Sequence, residues 1–180
     1  MLFIRYNNQR GREDTMFWTH IITHSLIYGF AVNLYLFLMM VTLSPRIWGY
    51  QDYPERVKKK VPPQTKKEKT LAALLGIPWF IFVMVFPVVS TFLLKAKLGE
   101  EIPFIQAFLN PFFLFLLATF GDLVILDWLI VSKLTPRFVI IPGSEAEDYK
   151  DFSHHYKGHA KSAVIMIAAS LLIAAAVTFL

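Results

Sequence analysis

Apolar residues in this chain gather into four long blocks, separated by stretches rich in charge, proline and glycine. The blocks cover residues 17–43, 71–94, 111–132 and 162–180. Each approaches or exceeds the roughly 20 helical residues that cross a hydrocarbon core about 30 Å thick. Lipid offers no partner to backbone polar groups, so blocks of this length predict helices that satisfy their own hydrogen bonds. The expected fold is all-α: a polytopic membrane bundle of four transmembrane helices, forming one domain over residues 1–180.

The connecting segments carry their own signals. Met1 to Phe17 reads as a short strand or surface arm, disordered or loosely docked over Asn7 to Asp14, with Asp14 or Thr15 capping the first span. Segment 45–70 holds Pro45, Pro54, Pro62 and Pro63, which work against a long helix. Pro78 and Pro87 fall inside the second block and predict kinks whose freed carbonyls need neighbours. Asn110 before Pro111 reads as the cap of the third span. In segment 133–161, Phe138 to Ile141 reads as a short extended piece and Pro142-Gly143 as a turn. Ser144 followed by Glu147 has capping-box spacing, which predicts a short amphipathic helix from Glu145 to Lys157, weakened at Gly158.

Charge refines the picture. A formal charge of +5 by itself allows a nucleic-acid partner. Yet thirteen of the eighteen Lys/Arg lie in the two long loops beside the apolar blocks, where they act as topology signals. The chain is therefore expected to be integral to the cell membrane, with both long loops cytoplasmic, both termini outside and no nucleic-acid partner. Membrane lipids are the expected contacts, and Arg56, Lys58, Lys59, Lys60, Lys66 and Lys67 form a candidate headgroup patch. A homo-oligomer or a membrane protein partner is a further expectation. The polar first fifteen residues and the long block after them do not read as a cleavable leader. The chain has no cysteine, which excludes disulfides, thiolate catalysis and Cys-based zinc or iron–sulfur sites.

The candidate chemistry centres on two acids inside the third block, Asp122 and Asp127. Carboxylates at membrane depth are costly and face protein or a water-filled cavity. Five residues separate them, roughly 140° around an α-helix, so an ordinary helix does not present them as a pair. Asp122, with Asn33 as a possible neighbour across the bundle, reads as a candidate proton or cation relay. Asp127 lies nearer the loop that carries Asp151, His154, His155 and His159. Asp151, His155 and His159 recur every four residues and share a helix face, so with Asp127 they form a candidate site for zinc, iron or manganese. His20 and His24 form a separate outer-side pair, but no histidine stands opposite them at the same depth, which disfavours haem. Zincin, dinucleotide-binding, P-loop and nucleophile-elbow motifs are absent.

Asp122-Leu-Val-Ile-Leu-Asp127-Trp128, Ile141-Pro142-Gly143-Ser144-Glu145, Tyr149-Lys150-Asp151 and the stretch from His155 to Gly158 resemble a pattern in small uncharacterised prokaryotic integral membrane proteins. The likeness covers about a third of the chain. It implies a four-span membrane protein with one continuous inner-surface site, and no particular reaction. The leading functional expectation is a structural, partner-binding or lipid-interacting membrane protein with a polar cluster at the cytoplasmic interface. The alternatives are a metal-dependent intramembrane enzyme acting on a lipid headgroup, and a small proton or cation carrier using Asp122.

Overall fold

The computed structural model describes residues 2–99 and 101–180, with side chains from residue 11 onward. Four helical segments, Gly11–Thr42, Lys66–Leu98, Phe104–Leu134 and Ala146–Phe179, are long and apolar enough to cross a membrane, as the block pattern predicts. The protein is a multi-pass integral membrane protein. Its outer wall of Ile22, Leu26, Phe30, Ile81, Val164 and Leu172 is open to lipid.

Helix α1 runs over Leu2–Thr42, so the expected loose arm is instead helical backbone. No proline interrupts this stretch, and Gly11 alone costs only about 1 kcal/mol. The side chains expected to dock over Asn7 to Arg10 lie outside the described residues. At about 60 Å, α1 is twice as long as a hydrocarbon core is thick. Ser44 ends the run, accepting from the Arg46 N–H at the start of the short α2, Pro45–Trp48.

A second short helix, α3 (Glu55–Lys60), leads to α4 (Lys66–Leu98). The start of α4 is fixed by a capping box between Thr65 and Glu68. The Arg46 guanidinium grips the same Glu68 with two nitrogens, at 2.6 and 3.0 Å, and donates to the carbonyls of Pro62 and Pro63. One arginine thereby ties the end of α1 to the beginning of α4. Within α4, Pro87 removes the donor that would reach the Val83 carbonyl, and the Tyr28 hydroxyl of α1 donates to that oxygen at 3.1 Å.

Helix α5 covers Phe104–Gly121, beginning at Pro103 rather than at Asn110. Asn110 is not a cap: it is fully buried in the helix and donates to the hydroxyls of Ser90 and Thr91 on α4. A buried amide needs partners, and two hydroxyls on the neighbouring helix outweigh a terminal position. The helix is packed against α1, α4 and α6, making it the centre of the bundle. From Asp122 to Leu134 the same rod continues as a π-helix. Thr135 ends it in the left-handed region, φ 47°, with its N–H bonded to the Ile130 carbonyl.

The last span, α6, runs unbroken over Ser153–Phe179, through Gly158. The expected amphipathic helix from Glu145 to Lys157 is replaced by a 3-10 turn at Ala146–Tyr149, followed by the first turns of α6. Its capping box joins Glu145 to Asp148 rather than Ser144 to Glu147. The Ser144 hydroxyl instead meets the Ile141 carbonyl and the Tyr149 hydroxyl. Phe138 to Ile141, expected to be extended, forms turns, with the Val139 N–H bonded to the Pro136 carbonyl.

The two long loops pack together at one end of the bundle. Tyr53, Val57, Val61, Val139, Ile141 and Tyr149 form a small core continuous with Met40, Leu126 and Val131 of the helices. Tyr53 donates to the Val139 carbonyl and stacks edge-on against Tyr149, while Lys60 pairs with Asp148 at 2.7 Å.

Close approach on the central rod depends on Gly121. A Cβ there would lie 2.8 Å from Asn33 Nδ2, which donates to the Ala118 carbonyl. Gly121→Val is expected to push Asn33 off that carbonyl and cost about 1–3 kcal/mol in equilibrium unfolding in mixed micelles. Gly76, with open space around it, is the control: Gly76→Ala is expected to change stability by no more than about 1 kcal/mol.

Candidate functional site

A π-helix closes its hydrogen bonds to the fifth residue back, which brings residue i+5 much nearer the face of residue i than an α-helix does. This overturns the expectation that Asp122 and Asp127 point apart. Both acids face α6, where His155 and His159 stand one turn apart on one side of the helix. Asp127 divides its carboxylate between them: Oδ1 lies 3.1 Å from His155 Nδ1 and Oδ2 lies 2.8 Å from His159 Nε2. Asp122 Oδ2 is 3.8 Å from that same His159 nitrogen. Ligand atoms of Asp122, Asp127 and His159, all half-buried, fall within 4.8 Å of one another. Two carboxylates and one imidazole can coordinate a divalent zinc, iron or manganese ion.

The cluster forms one wall of a cavity of about 410 Å³ at the loop end of the bundle. The rest of its lining includes the apolar and aromatic side chains of Leu36, Met40, Trp48 and Trp79. Three polar atoms on residues lining this cavity are buried without a hydrogen-bond partner among the described residues: His155 Nε2, Trp48 Nε1 and Trp79 Nε1. The His155 tautomer follows from its other nitrogen. With Nδ1–H donated to the Asp127 carboxylate, Nε2 of the neutral ring carries a free lone pair. Donation of one ring nitrogen to a carboxylate is the arrangement that orients a histidine for metal or proton chemistry at the other.

Asp52, which the sequence did not single out, also lines the cavity. Its side chain stays reachable by solvent, but surrounding protein displaces much of its water. That desolvation, then the negative charge of Asp127, raises its pKa above the usual carboxylate value, against the opposing pull of His155, Lys58 and His154. Nothing in the local sequence marks Asp52, because loop packing alone carries it to the site.

The remaining candidates divide between this site and others. Asp151 does not join the cluster. It is exposed and accepts from the Ser153 N–H at 3.1 Å, a local bond that starts α6. Asp122 takes the ligand place that regular four-residue spacing assigned to Asp151. His154 lines the cavity edge-on to His155. Asn33 is bonded to the carbonyls of Gly29 and Ala118 and braces the start of the π-helix. Within the basic patch, Arg56 donates to the Asp148 carbonyl, Lys60 pairs with Asp148 and Lys58 donates to the Gln51 carbonyl, whereas Lys59, Lys66 and Lys67 are exposed.

His20 and His24 lie at the far end of the bundle, stacked at 3.8 Å. Lys97 donates to His20 Nδ1, so His20 Nε2 carries the hydrogen and donates to the Ser90 carbonyl. The Ser90 hydroxyl accepts from Asn110 and donates to His24 Nδ1. This network locks α1, α4 and α5 together and leaves His20 with both nitrogens engaged.

No protein family, curated protein or solved structure compared with the chain matches it. The site is therefore read from its own geometry.

Removing Asp127 takes the acceptor from two imidazoles at once. Asp127→Leu is expected to cost about 3 kcal/mol in equilibrium unfolding. Asp151→Ala, which removes only a helix-start contact, is expected to cost about 1 kcal/mol or less. Equal losses from the two substitutions would show that the Asp127 contacts do not hold the fold.

Proposed function

We propose that this protein is a metal-dependent intramembrane enzyme acting on a lipid headgroup. The observation that carries the reading is the convergence of Asp122, Asp127 and His159 on one small volume at the wall of a cavity. Its depth fits a headgroup substrate: the cavity lies where the spans meet the packed loops, at the level of the membrane interface. Asp122, Asp127 and His159 would hold the ion and leave coordination positions open. A divalent ion there supplies Lewis acidity and a water of lowered pKa. His155 has a free lone pair turned away from its Asp127 support, which suits a general base for a water or headgroup hydroxyl. The indole N–H groups of Trp48 and Trp79 are unpartnered donors on cavity-lining residues, matched to the oxygens of a phosphate or ester.

A purely structural role for the cluster is the competing reading, favoured by the 2.8 Å contact between Asp127 and His159. Metal analysis of the purified full chain separates the two. The enzyme reading expects one zinc, iron or manganese ion per chain after loading. Asp122→Asn, Asp127→Asn and His159→Ala are each expected to weaken binding by about 100-fold or more, and Asp151→Ala to leave it intact. His159 Nε2 must be free of its proton to bind the ion, so affinity should rise with pH and binding should release protons. Failure to take up any of the three ions leaves the cluster as a packing network.

A further inference from the structure

We propose that the apolar groove running on from the acid–histidine cavity seats one hydrocarbon chain of the amphiphile whose headgroup occupies that cavity. The headgroup half of this assignment rests on the proposed function; the chain half rests on the groove itself. The groove, about 180 Å³, shares Leu36, Trp79, Asp122, His159 and Ser162 with the cavity, so the two adjoin.

From that junction the groove follows all four spans away from the loops, toward the middle of the bilayer. Along α1 it reaches from Leu36 to Tyr28, and along α6 from His159 to Ala169. At 1.5 Å per residue these are about 12 and 15 Å. Half of a hydrocarbon core about 30 Å thick is one leaflet, so the groove covers the depth of a single lipid chain. Its direction, polar end at the interface and apolar end at midplane, is also that of a lipid in its own leaflet.

The polar atoms tell the same story. Unpartnered groups are found on residues of the cavity, His155 Nε2 and Trp48 Nε1, and on Trp79, which lines both cavity and groove where they adjoin. Deeper in the groove the hydroxyls are already used, Tyr28 donating to the Val83 carbonyl and Thr119 to the Met166 sulfur. A ligand matching this distribution is polar at one end and hydrocarbon at the other. Ala118 and Ala169 keep the slot open, and Met84 and Met166 give it walls that adjust to a chain.

The test uses the full chain in phosphatidylcholine vesicles containing a phosphatidylglycerol with a photoactivatable diazirine at mid-chain. Adducts are mapped by mass spectrometry, and metal content is measured on the same preparation. The expected result is adducts concentrated on Val83, Met84 and Met166, at least tenfold above those on the outer-wall residues Phe30 and Leu172. Ala169→Phe fills the slot and should reduce the groove adducts at least tenfold while leaving metal content unchanged. Ala169→Leu serves the same purpose if the phenylalanine variant does not fold. Wild-type adducts spread evenly over groove and outer wall overturn the proposal. Groove-confined adducts in a protein that takes up no metal sustain the chain seat and remove the headgroup chemistry. Metal uptake with evenly spread adducts does the reverse.

Discussion

Asp127 shares one carboxylate between two imidazoles, and the bundle is arranged to make that sharing possible. A carboxylate inside a lipid-crossing helix is tolerated where it meets a partner or a water-filled cavity. Asp127 has both: His155 and His159 on α6, and the cavity at the loop end. Satisfying it from one neighbouring helix requires the two histidines to be one turn apart, which α6 supplies by running straight through Gly158. Bringing Asp122 to the same wall requires a change of register in the third span. The wider turns of the π-helix accomplish this, and such turns are often found at functional sites.

The two ends of the bundle use their histidines differently. At the far end, Lys97, His20, Ser90 and Asn110 form a directed chain of hydrogen bonds linking three helices. Such a network holds packing in place and engages both nitrogens of His20, while Asn110 Oδ1 keeps no partner among the described residues. At the loop end, His155, Trp48 and Trp79 each keep an unpartnered polar atom beside a cavity. Buried groups without partners cost about 1–3 kcal/mol each, and three of those in the described residues belong to residues lining this one cavity. The two histidine pairs thus differ more in their surroundings than in their spacing along the sequence.

The four spans were legible in the sequence because a long apolar run has only one stable fate in lipid. The need of Asn33 for a partner on another helix was legible for the same reason, and so was the need of the proline-freed carbonyls for donors. Asp127, His155 and His159 were legible as a group, since four-residue spacing predicts a shared face. Asp122 was misplaced because the angular argument assumed 3.6 residues per turn, and no residue-level signal distinguishes a π segment beforehand. Asp151 was misplaced for a related reason: a spacing that fits one face of a helix says nothing about whether the helix has begun. Asn110 looked like a cap because it precedes a proline, and only the hydroxyls of Ser90 and Thr91 on α4 show why it is worth more inside. Asp52 was invisible, because tertiary packing of two loops distant in sequence places it.

Those loops also change the meaning of the basic segment. Read from composition, 45–70 is a positive flank, yet Arg46, Arg56 and Lys60 each hold a defined partner in the folded chain. Arg46 fixes where α4 begins, and Arg56 and Lys60 hold the segment against Asp148 of the other loop. Charge-assisted contacts near the surface add little stability individually. They join the same two loops in which Tyr53 meets Tyr149 and Asp52 lines the cavity. The small tyrosine and valine core between the loops makes that placement firm, since its burial against Met40, Leu126 and Val131 couples the loops to the helices bearing the acids. The loop pair thus forms part of the wall of the site, and the acid–histidine cluster is framed by protein on its loop side while the groove leads from it toward the bilayer interior.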